Sequence, residues 1–144
     1  MARFWFSLGR LLQLRTQELQ QAQSILQQLS ARRRAVEAML EQLHREREAL
    51  QETATRSGTV PAQYFHDLWA YSQHLQQQLE EHHRECSRLR QMETAQQAQL
   101  REVLKAKDVL ERLRERRWEA FRRAEDRQEQ RLLDEIAQRQ HRQP

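Results

Sequence analysis

Leucine and its apolar neighbours recur along the first third of the chain in steps of four and three. The series runs Leu8, Leu12, Arg15, Leu19, Ala22, Leu26, Leu29, Arg33, Val36, Leu40, Leu43, Arg47, Leu50, Ala54, and eleven of the fourteen positions are apolar. A sustained 3.5-residue repeat lays a narrow stripe along an α-helix. Such a stripe must bury against another helix in a left-handed coil. Leu11, Leu14, Ile25 and Met39 widen it in places. The three arginines within it can lay their aliphatic stems along the seam while the charge reaches water. They cost stability and restrict which register is allowed.

A second stripe follows: Leu68, Tyr71 or Ser72, Leu75, Leu79, His82, Cys86, Leu89, Met92, Gln96, Leu100, Val103, Lys107, Leu110. It is looser, with polar members and a drift between Leu89 and Leu100. Trp118, Phe121, Leu132 and Ile136 then continue a helical spacing towards the C-terminus. Between the stripes stands the one real break, Ser57-Gly58-Thr59-Val60-Pro61, in a chain with only two glycines and two prolines. Thr59 or Ser57 can cap the second helix, and Pro61 suits its first turn.

These elements predict an all-α fold of two long helices forming an antiparallel coiled-coil hairpin, with the C-terminal helix overhanging. The expected layout is a single domain over residues 1–144, with arm one at about 3–56, a hinge at 57–61 and arm two at about 62–140. At ~1.5 Å per residue the arms span roughly 80 and 115 Å. Pairing outward from the hinge places Leu8 near Leu110, so the helix from about Glu115 onward projects unpaired. An exposed apolar stripe on such a projection marks a docking surface, with fraying or homodimerisation as the alternatives.

Composition supports this reading. Charged residues make up 32% of the chain, and Gln, Glu, Arg and Leu dominate, as in long helices and coiled coils. Disorder competes for so polar a chain, but a disordered segment keeps no heptad phase. The net charge of +4 is unevenly spread. Residues 59–100 carry three basic and five acidic side chains, and residues 101–144 carry thirteen and ten. The end holding both termini is therefore basic and the hinge end mildly acidic, which points to a directional partner.

Candidate chemistry is thin. Cys86 stands alone, so no internal disulfide forms and a reducing cytosolic setting is the simplest inference. No apolar run approaches the ~20 residues of a membrane span. The opening Phe4-Trp5-Phe6 imitates a signal peptide, but Arg10, Gln13 and Arg15 interrupt it, and it reads as mature sequence. With Arg3 and Arg10 those aromatics would also suit an interfacial anchor. Packing of Phe4 and Trp5 or Phe6 on the Leu110–Trp118 region is preferred.

His82 and Cys86 share a helix face, and His44 and His74 can meet across the hairpin. Neither supplies the three or four converging ligands of a zinc site, so no metal and no cofactor is expected. A two-helix coil offers no water-poor pocket for a nucleophile and its base, so no catalytic residue is assigned and an enzyme is not expected. Arg32-Arg33-Arg34 and the arginines from Arg112 to Arg123 are interleaved with glutamates, as on a solvated helix surface. No nucleic-acid partner is expected.

The phrase Phe4-x-Phe6-x-Leu8-x-x-Leu11-Leu12-x-Leu14-Arg15-x-x-Glu18 resembles the FliJ family of flagellar type III export stalk and chaperone proteins. So do Tyr71-x-x-x-Leu75-x-x-Gln78-x-x-x-His82 after the hinge and the C-terminal Asp134-Glu135-x-Ala137. The resemblance covers the whole chain in length, hinge placement and unequal arms. It implies a monomeric coiled coil like the central stalk of rotary ATP synthases. The implied partners are the hexameric export ATPase FliI, whose ring assembly the stalk promotes, the export gate protein FlhA, and chaperones of late export substrates. The implied location is cytoplasmic, peripheral to the inner face of the cell membrane.

Carried over, the gate contact falls on Tyr71, Leu75, Gln78 and His82, with Leu40, Leu43 and Arg47 on the first arm. A stalk entering a ring presents its terminal end, which places Phe4, Phe6, Trp118 and Phe121 at the ATPase. A virulence secretion stalk would look much the same. A self-assembling structural coiled coil and a basic nucleic-acid-binding helix pair are the competing classes.

Overall fold

The computed structural model describes residues 2–56, 58 and 61–142. Helix α1 runs Gly9–Arg56 and helix α2 runs Ala62–Arg142. The two long helices pack on one another as the expected all-α helical hairpin.

The helix starts reflect local chemistry. α1 begins at Gly9, about six residues later than the expected start of arm one, with the Phe6 carbonyl accepting the Gly9 N–H at 3.0 Å. The run Phe4-Trp5-Phe6 is a poor helix former, because bulky rings lose side-chain freedom against the preceding turn. At the start of α2 the Pro61 carbonyl accepts from the N–H groups of Tyr64 at 2.9 Å and Phe65 at 3.3 Å. Pro61 therefore caps the helix instead of sitting in its first turn. The proposed side-chain caps, Ser57 and Thr59, lie outside the described residues.

By internal contacts the chain divides into Met1–Gln20 with Arg101–Pro144, here the terminal unit, and Gln21–Leu100, the middle unit. In the middle unit, Ala22, Leu29 and Leu40 of α1 are buried against Leu75, Leu79, Cys86 and Leu89 of α2. Leu75 and Leu89 are only 2% and 1% exposed. Each such leucine contributes roughly 1.5–3 kcal/mol through burial.

The seam of α2 does not drift. It steps through Leu75, Leu79, His82, Cys86, Leu89, Glu93, Gln96 and Leu100 in unbroken fours and threes, all buried or half-buried. Met92, the expected member, is turned out and 43% exposed. Glu93 takes the position because Arg33, in the stripe of α1, bonds it across the seam at 2.8 Å. Gln96 donates to the carbonyl of Ala22 at 3.2 Å, the small alanine letting the amide reach the opposite backbone. Ile25 and Met39 are exposed and do not widen the stripe of α1.

In the terminal unit Phe6, Leu19, Val103 and Leu110 are buried, while Leu14 is exposed and Leu11 half-buried. From Asp126 to Arg142 every residue is exposed, including Leu132, Leu133 and Ile136. The overhang thus begins about ten residues later than Glu115. The non-helical N-terminal segment explains the difference. Such backbone advances up to ~3.3 Å per residue against ~1.5 Å in a helix, so it reaches farther along α2. Among the described residues no helix is long and apolar enough to cross a membrane.

Candidate functional site

Two groups of the expected contact residues can be placed, one in each unit. In the terminal unit the structure brings three of the four expected ATPase-contact residues, Phe4, Trp118 and Phe121, into mutual contact, while Phe6 meets Arg117. Phe4 meets Trp118 edge-on with ring centroids 5.1 Å apart and Phe121 at 5.6 Å, and Trp118 stacks on Phe121 at 5.9 Å. The Arg117 guanidinium lies 5.5 Å from the Phe6 ring centroid and donates to the Ser7 hydroxyl at 2.8 Å. Cation–π and edge-to-face contacts of this kind each add up to about 1 kcal/mol beyond burial. They tie the N-terminal segment to α2.

Burial separates the four. Phe6 is buried, Phe4 and Phe121 are half-buried, and Trp118 keeps 43% of its surface. The ring not assigned to the ATPase contact is Trp5, which is 79% exposed. Phe4 and Phe6 contact α2 while Trp5 turns away, the alternation of a non-helical segment. That period of two in Phe4-Trp5-Phe6 was the available signal, and the helical reading of the segment hid it.

In the middle unit the expected gate face divides. Leu75 and Leu40 are buried in the seam. Leu43 is half-buried and packs against the Leu40–Leu79–Cys86 cluster. Gln78 and His82 are half-buried at the seam edge. Tyr71 and Arg47 are exposed. The Tyr71 hydroxyl donates to Glu46 at 3.4 Å, leaving the ring as the accessible part. Nearer the break, Tyr64, Phe65 and Trp69 are exposed as well.

A polar layer crosses the same unit. Arg33 donates to Glu93 at 2.8 Å and to Glu37 at 2.9 Å, and Arg90 donates to Glu37 at 3.1 Å. The Cys86 thiol lies 3.9 Å from the same Glu37 oxygen. The Arg33 guanidinium, and after it that of Arg90, holds the Glu37 carboxyl below its usual range. The bonds to Glu93 and then Glu37 hold the Arg33 guanidinium above its own. Of the Arg32-Arg33-Arg34 run, only Arg33 turns inward.

His44 meets His83, not His74, with centroids 5.8 Å apart. Among the described residues no three His, Cys, Asp or Glu side chains converge to hold a metal ion.

The family model described as Flagellar FliJ protein matches residues 4–144. The chain belongs to the FliJ family. No curated protein and no solved structure matches it. The FliJ family is a non-enzymatic component of flagellar protein export. The match runs from Phe4, so it takes in the aromatic segment that precedes α1 in this FliJ chain.

Proposed function

We propose that the chain is the stalk of a flagellar export apparatus. In this reading its terminal unit binds the hexameric export ATPase and promotes ring assembly. The accessible part of the Tyr71 face contacts the export gate protein, and the same stalk escorts substrate chaperones. It acts as a monomer at the cytoplasmic side of the cell membrane.

The observation that carries the reading is the family match across both helices and the N-terminal aromatics. The clustering of Phe4, Trp118 and Phe121 supports the ATPase assignment, because a rigid, partly exposed aromatic group is the usual anchor of a protein interface. Burial narrows the gate assignment to Tyr71 with Gln78, His82 and Arg47 at its margins.

A two-armed binding experiment tests the reading. Trp118→Ala with Phe121→Ala is expected to weaken binding to the export ATPase at least about tenfold, with helix content unchanged. Tyr71→Ala is expected to weaken gate binding alone. If the first variant binds the ATPase as the parent does, the aromatic cluster has no part in it. If Tyr71→Ala loses both partners, the two contacts are not separate.

A further inference from the structure

The terminal unit carries a second feature, which shares Phe4 with the aromatic cluster but is otherwise lined by residues outside it. A groove of about 740 Å³ runs beside the N-terminal segment, lined by Trp5, Phe4, Arg10, Leu12, Gln13 and Arg114 among others. Its chemistry is mixed: one nearly bare indole, the side chains of Phe4, Phe6 and Leu12, one amide and two guanidiniums. We infer that this groove is a binding site for an acidic segment of a partner protein, with Arg10 and Arg114 pairing to its carboxylates and Trp5 covering an adjacent apolar side chain.

Three observations support the inference. First, Arg10 and Arg114 make no hydrogen bond or ion pair among the described residues. Some nearby groups are engaged, Arg15 with Glu18 at 2.9 Å, Arg117 with Ser7 and Glu111 with Lys107 at 3.5 Å, while Arg3, Arg112 and Arg116 share the unpaired state and add to the local positive charge. Two unpaired guanidiniums on one concavity suit carboxylates, which they bind in a planar two-point geometry that ammonium groups lack. Second, residues 2–18 and 110–123 together hold nine arginines and four glutamates, so the surroundings attract an anion. Third, Trp5 is 79% exposed beside this charge, and an exposed tryptophan flanked by arginines has the composition of an interface centre.

A membrane surface fits less well. Phe4 packs against α2 and Phe6 is buried, which leaves a single aromatic to enter a bilayer. The site is a concavity, which a protruding side chain fills and the flat surface of a bilayer does not. A second copy of this chain fits less well too, since the surface is basic and the chain is net basic. The inference deepens the proposed ATPase contact, and it relies on that proposal only for the partner's identity.

The test uses the full chain and two probes: the cognate export ATPase, and a synthetic peptide of four glutamates flanking a central leucine. The variants are Arg10→Glu with Arg114→Glu, Arg10→Lys with Arg114→Lys, and Trp5→Ala. Circular dichroism checks that each keeps the parent helix content. The inference predicts that both probes compete for one site. Charge reversal weakens binding at least about tenfold, and the lysine pair falls between parent and reversal. Trp5→Ala weakens binding without changing its salt dependence.

Peptide binding with this mutational pattern, but no binding of the ATPase, upholds the groove and removes the ATPase as its occupant. ATPase binding that survives charge reversal yet is lost in Trp118→Ala with Phe121→Ala overturns the inference and leaves the stalk reading in place. Arginine-dependent binding to vesicles of anionic phospholipid, without peptide binding, overturns it in favour of a lipid surface. A dimer in light scattering that dissociates on charge reversal overturns it in favour of a second copy.

Discussion

Met92 and Glu93 are adjacent, and the more apolar of the two is the one in water. Met92 is 43% exposed, while the Glu93 side chain keeps 12% of its surface. Partner geometry decides the exchange, because Arg33 stands opposite and a paired carboxylate is tolerated where an unpaired one is not. Truncation separates seam from surface. Leu89→Ala, at a position 1% exposed, is expected to lower stability by about 2–4 kcal/mol. Met92→Ala is expected to stay within about 0.5 kcal/mol of the parent. Denaturant unfolding checks both, and comparable losses at the two sites would return Met92 to the seam.

Glu37 gives a pH signature at the same scale. Its carboxyl is held below the usual range by hydrogen bonds from Arg33 and then Arg90. A carboxylate with a depressed folded-state pKa contributes stability that is complete above its unfolded value of about 4.3. That contribution fades as pH falls through the lower folded value. The melting-temperature gap between the parent and Glu37→Gln should therefore be widest near neutrality and close with acidification below about pH 4. A gap that stays constant or widens in acid would contradict the assignment.

At the level of the helices, the Arg33–Glu93 pair acts on register. Slipping the middle unit by one heptad would set Arg33 against Cys86 or Leu100, and Glu93 against Leu26 or Leu40. Either slip leaves two charges in the seam without a partner, so the pair excludes registers that leucine alone would accept. Replacing both residues, Arg33→Leu with Glu93→Leu, is expected to leave the melting temperature equal or higher while loosening alignment. Spin labels at the exposed positions Ser24 and Gln97 would report a broadened distance distribution. A distribution as narrow as the parent's would place register control in the leucines.

The helices and their pairing were legible in the sequence because leucine periodicity is a physical requirement of a two-helix seam. Leu19, Leu29, Leu40, Leu75, Leu79 and Leu89 are buried where the repeat placed them. What periodicity missed was decided by pair interactions. Glu93 and Gln96 hold seam positions through the Arg33 guanidinium and the Ala22 carbonyl, partners that no pattern on one helix reveals. The aromatic cluster was half legible. The rings were expected on the Leu110–Trp118 stretch of α2, and Phe4 meets Trp118 and also Phe121, but a helical N-terminus concealed that Trp5 faces away.

For the molecule as a whole, membership of the FliJ family makes partner surfaces the subject of function. The two surfaces differ in chemistry. The terminal unit offers aromatic rings and arginines, and the middle unit a tyrosine ring beside a hydrogen-bonded glutamate. Different chemistry on the two surfaces makes single-surface variants informative. Service to the export ATPase is tested by ATP turnover and ring assembly of the cognate ATPase as this protein is titrated in. A stalk is expected to stimulate both, with saturation near one chain per hexamer, and to scatter light as a monomer on its own. No binding, no stimulation and a self-associating chain would contradict it.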